Sequence, residues 1–144
     1  KVAGQYLDAL AVNIYGNWDG GYECARLAKW AGKPVIVTEW YAKGNDTGLP
    51  NKTGAGWTLA TQQERGWFYE HFTLTLLEQR GCVGWHWFKY IDNDPEDLKA
   101  ELSNRDSNKG MVSVKYEPYL PLTESMQRIN TAAYRLTEYF DQKQ

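Results

Sequence analysis

The sequence has no long hydrophobic run and no excess of charge of one sign. Nothing in its 144 residues approaches the roughly 20 consecutive apolar residues that a bilayer-crossing helix needs, so we expect no membrane partner. Its 16 basic and 18 acidic residues are well mixed and leave a net charge of -2. Such a surface gives no electrostatic footprint for phosphate backbones, and we expect no nucleic-acid partner.

Cysteine is also scarce. Cys24 and Cys82 lack metal-ligand spacing and are too few for a disulfide framework, so we expect both to be small buried apolar groups. Acidic residues cluster between positions 92 and 97, but the cluster lacks the ligand spacing and the central Gly of an EF-hand loop. We therefore expect no metal and no other cofactor.

Aromatic residues, in contrast, are abundant. The sequence has 7 Trp, 10 Tyr and 4 Phe, and several of them lie in polar or Gly-rich stretches instead of on periodic core faces. Trp18, Tyr41 and Trp57 are the clearest cases. Exposed aromatic rings in loops commonly stack on flat apolar ligand faces such as those of sugar rings, which makes these three residues candidates for substrate binding.

The segment KPVIVTEW, residues 33–40, combines a strand signal with a carboxylate. The β-branched run at residues 35–37 does not alternate with polar residues and follows a Gly-Lys-Pro stop, so it predicts a strand buried on both faces, as in parallel sheets. Glu39 comes at its end. Parallel barrels carry their chemistry at the carboxyl ends of the strands, which makes Glu39 a candidate catalytic residue.

Asn13 and Tyr15 lie at the exit of an earlier predicted strand and are candidates for substrate binding. Either side chain there has the chemistry to hydrogen-bond the ionised form of Glu39 and stabilise it. A Glu at a strand end also has ordinary roles, such as capping the next helix or pairing with a lysine such as Lys43. The pattern alone leaves these alternatives open.

Two of the predicted connections are unusually long. Residues 41–60 are rich in Gly, Asn and Thr, and residues 92–109 are acidic and polar without periodicity. Because a βα connection typically has two to six residues and longer loops are usually functional, we expect a working site beside them. The elements around these loops are strands at 7–15, 33–40 and 82–90 and helices at 22–31, 61–81 and 121–140.

Strands and helices therefore alternate, as they do in a right-handed parallel α/β sheet. Three units cannot close, because a complete eightfold barrel takes about 250 residues. We predict that residues 1–144 are the C-terminal three βα units, about strands six to eight, of a TIM (β/α)8 barrel and a fragment of a larger domain. The alternative is a small open three-layer sheet, but its first strand would be an uncovered hydrophobic edge.

Three stretches resemble the (β/α)8 retaining glycoside hydrolases and, within them, the β-agarase-like enzymes. They are VNIYG at residues 12–16, VTEWYAKG at 37–44 and HWFKYIDNDP at 86–95. The resemblance implies that these are strands six, seven and eight with their loops. It also implies that Glu39 is the catalytic nucleophile and that Trp87 floors the sugar subsite beside the cleaved bond.

The same resemblance implies hydrolysis of glycosidic bonds in a polysaccharide, expected to be a galactan such as agarose, with retention of configuration. The acid/base glutamate of that group lies on strand four, and no part of this sequence matches that region. We therefore expect the isolated chain to be inactive. Its expected partners are a polysaccharide or oligosaccharide and either the missing N-terminal part of the barrel or another copy of the chain, in an extracellular or periplasmic location.

Further substrate-binding candidates follow the third strand. Trp87 lies near the strand exit and favours sugar stacking, although TIM-barrel interiors are also packed with large side chains. His86 is a candidate for a substrate contact or a packed, hydrogen-bonded histidine. Lys89 and Asp92 are candidates for binding sugar hydroxyls or for ordinary solvated surface. A different function also remains open, a non-catalytic carbohydrate-binding module that works through Trp18, Trp57 and Trp87.

Overall fold

The structure is a computed structural model that describes residues 1–99 and 104–143. Its main helices and strands alternate in the predicted order, with a short additional helix before the first strand, a 3-10 turn and a short additional pair of strands. In chain order the elements are α1 (Ala3–Tyr6), β1 (Leu10–Asn13), α2 (Gly20–Ala31), β2 (Val35–Glu39), β3 (Ala42–Gly44), a 3-10 turn (Asn45–Thr47), β4 (Trp57–Leu59), α3 (Gln62–Leu77), β5 (Cys82–Trp85) and α4 (Leu120–Asp141).

The main sheet has three parallel strands in the order β1–β2–β5. The central strand β2 buries Val35 and Val37 completely, and both belong to the core formed with residues of α2, α3 and α4. Ile36 and Thr38 on the opposite face are only half-buried. The prediction of a strand buried on both faces is thus wrong for this chain, because the described helices pack against one face.

Local signals set the ends of the helices. Asp19 caps α2 by accepting the Tyr22 N–H at 3.1 Å, and Gly32 follows the last residue of α2 with a left-handed φ of 64° that favours glycine. Thr61 caps α3 by accepting the Glu64 N–H, as the predicted capping box requires. The Glu64 carboxylate reaches back to the N–H of residue 60, one position before the cap.

The observed strands are all shorter than predicted. The first spans Leu10–Asn13 instead of residues 7–15, and the third ends at Trp85 instead of residue 90. The long connection at residues 41–60 contains a second parallel sheet formed by β3 and β4. Residues 100–103 of the second predicted loop lie outside the described part of the chain.

A stack of aromatic rings forms the centre of the core. The ring of Trp40 is 1% exposed and stacks on Phe72 with centroids 4.1 Å apart and on Tyr69 at 5.1 Å. Cys24 is fully buried and Cys82 half-buried, and both are free thiols, so only Cys24 meets the expectation of a buried apolar group in full. Within the described residues, the helices are all too short or too polar to cross a membrane.

Candidate active site

The carboxyl ends of β1 and β2 meet at one edge of the main sheet. Asn13, the last residue of β1, is the register partner of Glu39, the last residue of β2. The backbone continues this pairing, because the Ile14 N–H donates to the Glu39 carbonyl at 2.9 Å. Glu39 is half-buried and Asn13 is exposed. The predicted catalytic carboxylate therefore lies at the sheet edge where parallel α/β proteins place their chemistry.

Tyr15 holds the Glu39 side chain. Its phenol donates a hydrogen bond to Oε2 of Glu39 at 2.6 Å, the contact that was expected of either Tyr15 or Asn13. The Tyr15 ring lies edge-on to Tyr41 at 5.3 Å. The Asn13 amide oxygen instead accepts a hydrogen bond from Thr38 at 2.9 Å. This hydrogen bond fixes the orientation of the Glu39 carboxylate, as a positioned nucleophile requires.

Lys43, considered above as an ion-pair partner of Glu39, is engaged elsewhere. It is 4% exposed, and its ammonium donates to the carbonyls of Asn51 at 3.2 Å, Thr53 at 2.9 Å and Gly54 at 3.2 Å. Burial lowers the pKa of Lys43, and the charge of Asp106 opposes that shift. Lys43 therefore stabilises the loop between β3 and β4 through hydrogen bonds to three of its carbonyl groups. None of the described hydrogen bonds of Lys43 goes to Glu39.

Trp87 lies beside Glu39 along the backbone but is also a packing residue. The chain after β5 runs alongside β2, with the His86 N–H donating to the Val37 carbonyl at 2.8 Å. The half-buried indole packs edge-on against Trp40, with centroids 5.1 Å apart, and its Nε1–H donates to the Lys109 carbonyl at 2.8 Å. Trp87 therefore packs against the core and also lies just after the end of β5. His86 itself is exposed.

Asp92 is neither solvated surface nor open to a sugar. It is 4% exposed, and its Oδ1 accepts the N–H groups of Lys109 at 2.8 Å and Gly110 at 2.6 Å. Its Oδ2 accepts from Asn108 Nδ2 at 2.9 Å and from the Tyr119 hydroxyl at 2.6 Å. A carboxylate has about four acceptor positions, and these four donors from the protein occupy them. The prediction that Asp92 binds sugar hydroxyls is therefore wrong for this structure. Nothing near Asp92 in the sequence signals these partners, which follow it by 16 to 27 residues.

Arg65 is a buried charge that no pattern in the sequence indicates. It is 0% exposed and donates from Nε to the Ala42 carbonyl at 2.8 Å and from Nη2 to the Gly110 carbonyl at 3.0 Å. Burial lowers the pKa of Arg65 to about 10, while the charge of Asp92 opposes the shift. Its guanidinium carbon lies 5.5 Å from the centroid of the Trp87 ring. In the sequence Arg65 is simply one polar residue of a helix, and no local signal marks it.

The two exposed loop tryptophans form a pair. Trp18 and Trp57 stack with centroids 5.2 Å apart and an interplanar angle of 17°, and they are 48% and 38% exposed. The ring of Phe68 supports Trp18 edge-on at 5.2 Å. Tyr41, the third predicted loop aromatic, is 4% exposed and lies against Tyr15 instead. The structure therefore brings together two of the three loop aromatics and buries the third.

Lys89 also has a partner within the protein. Its ammonium donates to the side-chain oxygen of Asn93, a residue that is 5% exposed. In the described residues, no group of three or more His, Cys, Asp or Glu side chains has a metal-binding arrangement. A cavity of about 290 Å³ lies between the ends of α3 and α4 and the start of β5, and none of its lining residues is a predicted site residue.

Comparison of the sequence with known proteins finds agarases over nearly its whole length. β-Agarase B of Vibrio sp. (strain JT0107) is 32% identical over 143 residues, which cover 94% of this chain and 14% of that protein. β-Agarase A of the same organism is 29% identical over 141 residues, 93% of this chain and 14% of that protein. The chain therefore spans about one seventh of the curated relatives it matches. No protein-family model matches it.

Solved structures give the same result. A structure described as BpGH50 has a TM-score of 0.84 and 43% identity, and the match covers 96% of this chain and 28% of that chain. The agarase AgWH50C has a TM-score of 0.79 and 25% identity, over 94% of this chain and 20% of that chain. In both, the likeness covers almost all of the present chain and a minor part of a longer protein.

Proposed function

The chain is agarase-like in sequence and fold, and from this premise we propose that the complete protein cleaves glycosidic bonds in a galactan such as agarose. The resemblance to β-agarase-like glycoside hydrolases that the three sequence stretches indicated is confirmed by the agarases it matches. The relatives extend well beyond this chain, so the activity is proposed for the complete protein.

The observation that carries the proposal is the hydrogen bond from Tyr15 to Glu39 at the carboxyl edge of a parallel sheet. A retaining glycosidase needs one ionised carboxylate to attack the anomeric carbon and a second carboxyl group about 5 to 5.5 Å away as acid and base. We assign the attack to Glu39. Because Tyr15 occupies Oε2, we assign the attacking role to Oε1.

Bond changes in the proposed double displacement involve Glu39 twice. First, Oε1 forms an ester with the anomeric carbon while the bond to the leaving oxygen breaks, and the second carboxyl group protonates that oxygen. Then the second group removes a proton from water, the water oxygen attacks the anomeric carbon, and the Glu39 carboxylate is released. Tyr15 stabilises Glu39 before the first step and after the second.

The second carboxyl group is proposed to come from outside these 144 residues. We propose that β1, β2 and β5 are strands six to eight of a (β/α)8 barrel, which their parallel order supports. The remaining strands, from the rest of the polypeptide or from another copy of the chain, would supply the acid/base glutamate. The isolated chain is therefore proposed to be inactive. Because agar-like polymers are extracellular substrates, we propose an extracellular or periplasmic location.

Substrate contacts are proposed at two places. Beside Glu39, the Trp87 ring stacks on the sugar at the cleaved bond. Asn13, His86 and Lys89 make polar contacts with the same sugar. Farther along the strand-exit loops, the stacked and exposed pair of Trp18 and Trp57 offers a flat apolar surface for another sugar of the polymer.

Replacement of Glu39 tests the assignment. Glu39→Gln in the complete protein keeps the shape of the side chain and removes the attacking oxygen, and we expect kcat to fall at least about 1000-fold. Glu117→Gln, a change at an exposed position, is the matched control with unchanged kcat. With Glu39→Ala, added azide should restore cleavage and yield a glycosyl azide of inverted configuration. Wild-type turnover by Glu39→Gln would reject Glu39 as the nucleophile.

The exposed Trp18–Trp57 pair also favours a second candidate, a carbohydrate-binding module that does not use Glu39. Titration of the isolated chain with agaro-oligosaccharides separates the two functions. Binding that survives Glu39→Gln and is lost in Trp57→Ala would favour the module. Absence of binding by the isolated chain, together with turnover by the complete protein, would favour the incomplete enzyme.

A further inference from the structure

The orientation of the Trp87 indole depends on a residue outside the helices and strands. Its Nε1–H donates to the Lys109 carbonyl at 2.8 Å, and the backbone N–H of Lys89 donates to the same carbonyl at 3.1 Å. Lys109 is fully buried in the connection between β5 and α4. Whatever fixes the backbone at residue 109 therefore also fixes one end of the Trp87 ring.

Asp92 fixes that backbone. Its Oδ1 accepts the N–H of Lys109 at 2.8 Å and the N–H of Gly110 at 2.6 Å. One carboxylate oxygen therefore holds the peptide group that contains the carbonyl contacted by Trp87 and also the peptide group before it. Hydrogen bonds from backbone N–H groups to an ionised carboxylate are stronger than those to a neutral acceptor. At 4% exposure, Asp92 has little surface of its own for a sugar.

We propose that Asp92 is a positioning residue for Trp87. In this arrangement the carboxylate holds the Lys109 peptide, and the Lys109 carbonyl holds the indole at the angle that the sugar subsite requires. The inference rests on the proposed function, in which Trp87 floors the subsite beside Glu39. It predicts that Asp92 acts on substrate binding through Trp87 and has little effect where Trp87 is absent.

The two oxygens of Asp92 provide a control within the same side chain. Oδ1 leads to Lys109 and Trp87, whereas Oδ2 accepts from the Tyr119 hydroxyl at 2.6 Å and from Asn108. Tyr119→Phe removes a hydrogen bond of comparable length from the same carboxylate and leaves the Oδ1 contacts in place. A purely structural role of the network predicts similar consequences for changes on either oxygen.

The experiment is a double-mutant cycle in the complete protein, with kcat and KM measured on agaro-oligosaccharides. We expect Trp87→Ala to lower kcat/KM about 30-fold and Asp92→Ala to lower it about 10-fold, mainly through KM. In the Trp87→Ala background, Asp92→Ala should change kcat/KM by less than about twofold. Tyr119→Phe should also change it by less than about twofold.

Each other outcome has a defined meaning. An equal loss from Asp92→Ala in both backgrounds, or no loss in either, would overturn the positioning role. Full activity of Trp87→Ala would reject the proposed subsite at Trp87 itself, which separates that failure from a failure of Asp92.

A second variant covers the case in which Asp92→Ala does not fold. Replacing Trp87 with 3-benzothienylalanine keeps the shape of the ring and removes its N–H, so it breaks the contact with Lys109 from the opposite end. We expect KM to rise about fivefold with kcat nearly unchanged. An unchanged KM would overturn the inference.

Discussion

At the scale of single residues, the contact between Tyr15 and Glu39 bears most directly on the proposed chemistry. Tyr15→Phe removes the donor to Oε2 and leaves the ring against Tyr41. A hydrogen bond to a charged group contributes about 1.5 to 3 kcal/mol, so we expect kcat/KM of the complete protein to fall about tenfold or more. Tyr22→Phe, at a position that is 72% exposed, is the control and should behave as wild type. Equal kinetics of the two variants would contradict a role for Tyr15.

Asp106 gives a prediction with a defined pH dependence. Partial burial raises the pKa of Asp106, but hydrogen bonds from Thr53 and Lys52 outweigh it, and the pKa lies below the ordinary value for Asp. A carboxyl whose pKa is lowered on folding stabilises the fold above its unfolded pKa of about 3.9, and this contribution is lost as the pH falls through the folded value. Asp106→Asn should therefore cost about 1 kcal/mol of unfolding free energy at pH 7 and much less near pH 2.

Urea denaturation of the chain at both pH values measures this difference. Asp8→Asn, at an exposed position, provides the control and should leave the unfolding free energy unchanged at either pH. A cost for Asp106→Asn that is the same at pH 7 and at pH 2 would show that ionisation of Asp106 does not strengthen its hydrogen bonds to Lys52 and Thr53.

The sequence identified some site residues and not others for a physical reason. Glu39 and Tyr15 follow β-branched or apolar strands, and the ends of parallel strands share an edge, so their proximity could be predicted.

The role of Asp92 could not be predicted, because its hydrogen-bond partners come from residues 108–119. Lys43 and Arg65 are ordinary polar residues in the sequence, and only the folded chain shows that carbonyl oxygens surround them.

At the scale of elements, the contact between α2 and α3 leaves no room for a side chain at Gly21. A Cβ there would lie 2.1 Å from the Thr75 carbonyl oxygen, which the helix backbone holds in place. We expect Gly21→Ala to cost about 2 kcal/mol of unfolding free energy, as overpacking of a tight contact does. Gly84→Ala in β5 is the control, since its Cβ would meet nothing closer than 3.7 Å. Thermal denaturation followed by circular dichroism compares the two, and equal stability would contradict the close approach of the helices.

Element prediction succeeded where several local signals agreed. The second strand and the start of the helix capped by Thr61 were located within one or two residues, because a β-branched run, a Gly-Pro stop and a capping box point to them. The same helix ends at Leu77 instead of residue 81. The small sheet of β3 and β4 was missed because its strands have only three residues each. Contacts from distant residues such as Asn108, which accepts the Gly44 N–H at 3.0 Å, hold that region.

At the scale of the whole molecule, the main sheet has two outer strands. In the described part of the chain β1 and β5 each pair with β2 alone, and Val83 on β5 is 62% exposed. Unpaired sheet edges with apolar side chains pair readily with other strands. If β5 is an inner strand of a barrel in the complete protein, as we propose, then the isolated chain should self-associate through this edge.

Sedimentation velocity of the isolated chain at increasing concentration measures this association. We expect oligomers that a single charge on the edge suppresses, so Val83→Lys should shift the distribution toward monomer. Val114→Lys, at another exposed valine outside the sheet, is the matched control and should leave the association unchanged. A wild-type chain that stays monomeric and binds no hydrophobic dye would indicate an open sheet that is stable on its own. That result would count against the proposal that β5 pairs with a further strand in the complete protein.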